Sequence, residues 1–133
     1  MASLSQLRPH TTATPLSQAL EGVRSWRVWT EVGPSPAALP VSGVSVSTDD
    51  LAPGWVFVGI PGARRHGASL AEVARERGAE VIVTDEDGAT QAQASGLPII
   101  VVEDPRAAAA MIAKNLYGPQ HDGLTLVGVT GTN

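Results

Sequence analysis

Residues 124–133 carry the clearest chemical signal of this sequence, Leu-Thr-Leu-Val-Gly-Val-Thr-Gly-Thr-Asn. An apolar, β-branched run that ends in a Gly/Thr turn is typical of a strand entering a phosphate-binding loop, whose backbone N–H groups cradle phosphates. Such a loop is completed by Gly-Lys-Ser/Thr, with the Lys on the β- and γ-phosphates and the hydroxyl on Mg²⁺. No such Lys follows in this sequence. Two interpretations stay open: this is the front part of a larger nucleotide-using enzyme, or the likeness to a phosphate loop is accidental.

A second candidate is the loop at residues 61–67, Pro-Gly-Ala-Arg-Arg-His-Gly, between a predicted buried strand and a predicted helix. In open α/β sheets, ligands bind outside the carboxyl ends of the strands, where loops of this kind lie. Arg64 and Arg65 beside flexible glycines suit a pyrophosphate or another anion, because guanidinium groups match the geometry of phosphate oxygens. The residues alone leave a solvated surface loop as the alternative.

A third candidate is the polar stretch Val46-Ser-Thr-Asp-Asp50, at the end of another predicted strand. Its hydroxyl groups are able to bind a sugar or a base, yet Ser, Thr and Asp are also ordinary turn formers. Asp49 and Asp50 do not suit a catalytic carboxylate pair, because adjacent side chains on an extended chain point in opposite directions. Taken alone, the segment indicates a turn.

Composition excludes several classes of protein. A length of 133 residues suits one domain with its own core, and a net charge of −4 argues against nucleic-acid binding. The sequence has no Cys, which excludes thiol catalysis and disulfides, and its three scattered His residues argue against a metal site. No apolar run approaches the roughly 20 residues of a membrane helix. The sequence also shows no signal-peptide core, so we expect a cytoplasmic protein with no membrane or nucleic-acid partner.

The elements that must position these segments are weakly marked before residue 43. Residues 15–23 predict a short helix, with Thr14 as N-cap and Pro15 at the first helical position. A short strand is predicted at 26–29. The Pro- and Gly-containing stretch that follows predicts an irregular linker.

From residue 43 onward, predicted strands and helices alternate. The capping box Ser69-Leu-Ala-Glu72 predicts the start of a helix that ends before Gly78. A second, longer helix begins at Asp104-Pro105 and stops at Gly118-Pro119. The remaining predicted elements are strands at 44–47, 55–60, 81–84, 99–102 and 124–129, a turn at 85–88 and a short helix at 89–94.

This alternation predicts an α/β fold with a mainly parallel or mixed sheet and flanking helices. The strands are continuous Val/Ile runs rather than alternating polar and apolar residues. Such runs indicate strands that are covered on both faces.

Six segments between residues 43 and 133 together form a recognisable pattern. They are Asp50-Leu-Ala-Pro-Gly-Trp-Val-Phe-Val-Gly-Ile-Pro-Gly62, Gly67, Gly78-Ala-Glu-Val-Ile-Val83, Ile99-Ile-Val-Val-Glu-Asp-Pro-Arg106, Leu116-Tyr-Gly-Pro119 and the terminal residues 124–133. In this order, they resemble the amino-terminal part of a Mur ligase. Within that family, they are most similar to the members that add the third amino acid of the peptidoglycan peptide.

The resemblance implies a three-domain enzyme that uses ATP and Mg²⁺. Its partners are then a UDP-N-acetylmuramoyl-dipeptide substrate and a diamino acid, L-lysine or meso-diaminopimelate. It implies an unassigned segment at 1–42, a UDP-substrate-binding domain at 43–119, and the first strand and P-loop start of the ATPase domain at 120–133. No catalytic residue or metal ligand of the family falls in this chain. The strand at 124–129 is expected to fray in the isolated chain.

Carried over residue by residue, the family's contacts form two groups. The UDP contacts fall on Val46, Thr48, Ala63, Arg64 and Arg65, and the ATP loop begins at Gly131, Thr132 and Asn133.

Two departures from the family pattern bear on these contacts. Ser47-Thr48-Asp49 stands where the family has Asp-Ser-Arg, so the Arg of the family pattern is lost from the segment expected to meet the sugar or uracil. His66-Gly67-Ala68 stands where the family has Asp-Gly-His.

Three alternatives stay open at this point. A sibling ligase that adds D-Ala-D-Ala has a similar front domain. Folate polyglutamylating ligases share the P-loop but are not expected to have the front domain. A stand-alone, non-catalytic nucleotide-binding module is the alternative from a different class.

Overall fold

The computed structural model describes residues 13–29 and 35–121 of the chain. The strands in these residues are β1 (Thr14–Pro15), β2 (Arg27–Val28), β3 (Pro40–Val41), β4 (Gly43–Ser45), β5 (Trp55–Val58), β6 (Ala79–Thr84) and β7 (Ile99–Val101). The helices are α1 (Leu16–Ala19), α2 (Ala71–Glu76), α3 (Glu86–Ala92) and α4 (Pro105–His121). Short 3₁₀ turns lie at Pro36–Ala38, Thr48–Asp50, Gly67–Leu70 and Gln93–Ser95.

Five of the described strands form the main sheet, in the order β2-β7-β6-β5-β4. Strands β4, β5, β6 and β7 run parallel to one another, and β2 pairs antiparallel with β7 at one edge. A separate ribbon joins β1 and β3 in antiparallel register. The predicted α/β fold with a mainly parallel or mixed sheet is therefore confirmed.

Both faces of the main sheet are buried. Val56 and Val58 of β5 pack into one core cluster, which contains residues of α1 and α4. Phe57, between them in the chain, packs into a second cluster with residues of α2 and α3. Successive strand residues point to opposite faces, so a sheet covered on both sides needs apolar side chains at every position. This explains the continuous apolar runs in the sequence.

The described residues before 43 belong to the same core. Leu16 of α1 and Val41 of β3 are fully buried in the cluster that contains α4. Asn115 of α4 donates hydrogen bonds from Nδ2 to the carbonyls of Ala19 and Glu21, at 2.8 Å each. These bonds hold the end of α1 against α4.

The helix predicted at 15–23 is shorter than expected. Thr14 is not its N-cap, because Thr14 is extended and pairs with Val41 across the ribbon. Pro15 takes the N-cap position instead, and α1 ends after Ala19. The strand predicted at 26–29 is confirmed as β2, whereas the stretch predicted as irregular contains a 3₁₀ turn and β3.

Two predictions, a helix start at Ser69 and a turn at 85–88, were wrong because other side chains cap the turn and helix that form there. Ser69 is not an N-cap: it lies inside the Gly67–Leu70 turn, and its Oγ donates to the carbonyl of His66. The turn predicted at 85–88 is the beginning of α3, because the Asp85 carboxylate accepts the Gly88 N–H at 2.8 Å. An Asp that accepts a backbone N–H three residues later favours a helix start.

The long helix α4 begins where the sequence predicts. Asp104 caps it by accepting the N–H groups of Arg106 and Ala107. The prediction that Gly118-Pro119 ends the helix was wrong, since α4 continues to His121. A proline inside a helix lacks one backbone hydrogen bond and crowds the carbonyl four residues before it, but it stands here in the last turn, where only two residues follow. The predicted strand at 124–129 lies outside the described residues.

We expect Asn115→Ala to lower the free energy of unfolding by about 1–2 kcal/mol, because it leaves two backbone carbonyls without their donor. Urea unfolding measures the change. Lys114→Ala is the matched control, because Lys114 is the exposed neighbour of Asn115 on α4. Its free energy of unfolding is expected to stay within about 0.5 kcal/mol of the parent value. Equal urea midpoints for the two variants would contradict a stabilising role of Asn115.

Candidate functional site

The four parallel strands end at one edge of the sheet, so the segments that follow them meet there. These segments begin at Val46 after β4, Gly59 after β5, Asp85 after β6 and Val102 after β7. Ligands of open α/β sheets bind at this carboxyl edge. The two polar loops highlighted in the sequence, at residues 46–50 and 61–67, both begin at this edge.

The loop after β5 folds into a tight hairpin, here called the arginine hairpin (residues 61–66). Pro61 and His66 form an isolated antiparallel bridge, and the Gly62 N–H donates to the Arg65 carbonyl at 3.0 Å. A Cβ at Gly62 would lie 2.7 Å from that carbonyl oxygen, so the hairpin requires glycine there. Ala63 and Arg64 therefore occupy the tip of a defined turn rather than an open loop.

The two arginines of the hairpin are exposed to solvent. Across residues 13–29 and 35–121, neither guanidinium has an ion-pair or hydrogen-bond partner. By contrast, Arg27 pairs with Glu86, and Arg77 lies 3.7 Å from an Asp49 carboxylate oxygen. Within the described residues, the arginine hairpin thus carries two positive charges that no acidic side chain neutralises.

The base of the arginine hairpin is held by His66, whose side chain is only 8% exposed. Its Nδ1 lies 3.0 Å from the Ala68 nitrogen and accepts that N–H. Because Nδ1 is an acceptor, the ring proton is on Nε2, which donates to Asp85 Oδ1 at 2.7 Å. The same Asp85 oxygen accepts the Gly88 N–H. One carboxylate therefore joins the hairpin base to the start of α3.

The segment after β4 forms a compact turn beside the hairpin's strand. Ser47 Oγ accepts the Asp49 N–H and caps the Thr48–Asp50 turn. Arg77 approaches the Thr48 carbonyl at 3.4 Å. Val46 is half exposed, with 50% of its surface in solvent. Among the described residues, it is the large hydrophobic side chain that is exposed rather than buried. The sequence prediction of a turn here is confirmed.

The edge strand β4 is anchored to α4 by one side chain. The Val44 N–H donates to the Tyr117 hydroxyl at 2.9 Å, and Tyr117 is 8% exposed. This bond satisfies a backbone donor on the strand that leads into Val46 and Thr48. It also fixes the position of that strand relative to the helix.

The structure thus brings the five predicted UDP-contact residues to the ends of neighbouring strands. Val46 and Thr48 follow β4, and residues 63–65 follow β5, with which β4 pairs directly. The predicted ATP-loop residues, Gly131, Thr132 and Asn133, lie outside the described residues. Sequence reasoning missed the bonds between His66, Asp85 and Gly88. The signal in the sequence was Asp85 directly after a strand, followed three residues later by Gly88, and this segment was interpreted as a turn.

A cavity of about 360 Å³ lies next to the end of β7, the parallel strand that is farthest from β4 in the sheet. Its walls come from the connection before β2, the residues after β7 and the first turns of α4, and they include Arg24, Glu103, Asp104 and Met111. In the part of the chain that is described, no group of three or more His, Cys, Asp or Glu residues suits a metal ion. No helix within that part is long and apolar enough to span a membrane.

Comparison with known proteins identifies the family. Residues 40–117, more than half of the chain, match the family described as "Mur ligase family, catalytic domain". The chain belongs to the Mur ligase family.

Relatives of this Mur ligase chain carry names of tripeptide-forming enzymes. It is 42% identical to the UDP-N-acetylmuramyl-tripeptide synthetase of Leifsonia xyli subsp. xyli, over 97% of this chain and 24% of that protein. It is 35% identical to the UDP-N-acetylmuramoyl-L-alanyl-D-glutamate--2,6-diaminopimelate ligase of Streptomyces avermitilis, over 93% of this chain and 23% of that protein. The chain therefore spans about a quarter of the length of these relatives.

A solved structure supports the fold. MurF from Acinetobacter baumannii aligns with a TM-score of 0.50 at 17% sequence identity, over 80% of this chain and 21% of that one. At this identity the likeness shows the fold alone.

We expect Gly88→Ala to destabilise the protein by about 1–3 kcal/mol, because the new methyl group enters occupied space. A Cβ at Gly88 would lie 2.5 Å from His66 Cε1 and would also collide with Thr84 Oγ1. Thermal or urea unfolding measures the loss.

Gly118→Ala is the matched control, because Gly118 is also helical and its added Cβ would meet Lys114 Cγ at an ordinary 3.8 Å. That variant is expected to stay within about 1 kcal/mol of the parent, because the helix propensity gained with Ala is offset by the steric restriction that the following proline places on a residue with a Cβ. If Gly88→Ala were as stable as Gly118→Ala, the tight packing of His66 over Gly88 would be refuted.

Proposed function

We propose that this chain is the substrate-anchoring part of an ATP-dependent ligase of peptidoglycan synthesis. The whole protein then adds L-lysine or meso-diaminopimelate to UDP-N-acetylmuramoyl-L-alanyl-D-glutamate. The observation that carries the proposal is the exposed arginine hairpin after β5, together with the half-exposed Val46 after the adjacent strand β4, in a chain of this family. Relatives that are 34–42% identical bear names of enzymes that add the third residue.

The proposed contacts follow from the chemistry of each residue. Arg64 and Arg65 suit the diphosphate of UDP, because guanidinium forms charge-assisted bonds to phosphate oxygens. The Ala63 backbone at the hairpin tip allows close approach of the ligand. Val46 offers an apolar surface to the uracil or sugar, and Thr48 offers a hydroxyl group. Anchoring of this kind fixes the reacting end of the substrate without taking part in bond making.

The proposed domain division places UDP binding in residues 43–119, to which the described residues before 43 add core packing. Residues 120–133 then begin the ATPase domain, with Gly131, Thr132 and Asn133 at the ATP phosphates. In the complete protein, ATP with Mg²⁺ would activate the substrate carboxylate for attack by the incoming amino group. We place the protein in the cytoplasm, where UDP-linked precursors are soluble substrates.

A sibling ligase that adds D-Ala-D-Ala is the second candidate, because the fold is shared with MurF. The names of the sequence relatives favour the third-residue ligase over it. Supplying the intact protein with ATP and each amino donor in turn separates the two, since only one donor should be joined to its UDP substrate.

We expect Arg64→Ala in the intact protein to raise KM for the UDP substrate about 10- to 100-fold, the equivalent of one charge-assisted hydrogen bond. The effect on kcat should be smaller, because the interaction is present in both ground state and transition state. Steady-state kinetics with varied UDP substrate measures the two separately.

Lys114→Ala is the control for the lost charge, since Lys114 is exposed on α4 rather than on the arginine hairpin. Its KM should equal that of the parent. An unchanged KM in Arg64→Ala, or an equal rise in both variants, would remove the arginine hairpin from the substrate site.

A further inference from the structure

The hydrogen-bonded unit of His66, Asp85 and Gly88 has no part in the function proposed so far. It is polar, largely buried and located directly behind the arginine hairpin. Every polar ring atom of His66 is used: Nδ1 accepts the Ala68 N–H, and Nε2 donates to Asp85. A side chain with both ring nitrogens bonded to different elements is held in one orientation.

This unit connects three pieces of the carboxyl edge. His66 ends the arginine hairpin and caps the Gly67–Leu70 turn. Asp85 follows β6 and caps α3 through the Gly88 N–H. Gly88 has no side chain, and this leaves the space that the imidazole occupies. Movement of the hairpin base would therefore break bonds in both the turn and the helix start.

We propose that His66 is a positioning residue for the arginine hairpin, and that Asp85 acts by holding the His66 ring. The inference rests on the proposed function for its effect on UDP-substrate binding. Arg65 is adjacent to His66, and the Pro61–His66 bridge closes the hairpin. Fixing His66 therefore fixes the backbone that carries both exposed guanidinium groups. Preorganised binding groups increase affinity because less order is lost when the ligand binds.

Capping alone does not explain this arrangement. Asp104 caps α4 at the same edge of the sheet with a carboxylate that accepts two backbone N–H groups. Asp85 accepts one backbone N–H and, in addition, the His66 ring proton. The extra bond is what links the helix start to the arginine hairpin.

The variants separate capping from positioning. His66→Asn keeps an oxygen that can cap the Gly67–Leu70 turn, as Asn does at helix starts, but its shorter side chain loses Asp85. Asp85→Asn keeps an oxygen that can accept from both Gly88 and His66, whereas Asp85→Ala removes both bonds. Asp104→Ala is the matched control, because it removes a cap at the same edge without touching the hairpin.

The first readout is calorimetric binding of UDP-N-acetylmuramoyl-L-alanyl-D-glutamate to the intact protein, together with the KM and kcat values of each variant. His66→Asn and Asp85→Ala should bind about tenfold more weakly, with the change in KM larger than that in kcat. Asp85→Asn and Asp104→Ala should bind like the parent. Parent-like affinity in His66→Asn, or equal losses in Asp85→Ala and Asp104→Ala, would overturn the positioning role.

The second readout needs no substrate. ¹⁵N NMR of the parent should show His66 with a bare Nδ1 and a protonated Nε2, and backbone relaxation should show Arg64 and Arg65 ordered in the parent and mobile in His66→Asn. A protonated Nδ1, or unchanged order in the variant, would refute positioning. If the parent fails to bind the UDP substrate while these NMR results hold, the proposed function is wrong and the positioning of the hairpin stands.

Discussion

Four parallel strands, covered on both faces, determine how the other elements of this protein are arranged. Because α1 and α4 bury one face and α2 and α3 bury the other, neither face of the sheet is open to a polar ligand. Polar ligands of the described residues are thereby confined to the edges of the sheet. Parallel strands direct all their following segments to one such edge, and the candidate contacts that follow β4 and β5 therefore lie after the ends of adjacent strands.

The same edge shows a regular pattern of side-chain caps. After β4, β5, β6 and β7, the next 3₁₀ turn or helix is capped by Ser47, His66, Asp85 and Asp104, respectively. Each cap satisfies a backbone N–H that would otherwise lack a partner at the beginning of the element. His66 differs from the other three because it is an imidazole, and its second nitrogen reaches the cap of the neighbouring element.

Much of the fold could be predicted from the sequence, because runs such as 55–58 and 99–101 are apolar at every position and report burial directly. Before residue 43 a helix and β2 could be predicted, but the ribbon of β1 and β3 could not, since each of these strands is two residues long and forms only by pairing with the other. The loop residues at 46–48 and 63–65 could be placed at strand ends, yet the hairpin geometry and the bond between His66 and Asp85 could not. That bond joins residues 19 positions apart, and no local periodicity encodes it.

The most direct measurement is a crystal structure of the intact protein with UDP-N-acetylmuramoyl-L-alanyl-D-glutamate bound. We expect the diphosphate within hydrogen-bond distance of the arginine hairpin and the uridine or sugar against Val46 and Thr48. We also expect the arginine hairpin to keep the same backbone conformation as in the chain without substrate. A UDP group seated instead in the cavity between Arg24 and Asp104, with no ligand atom near Arg64 or Arg65, would contradict the account.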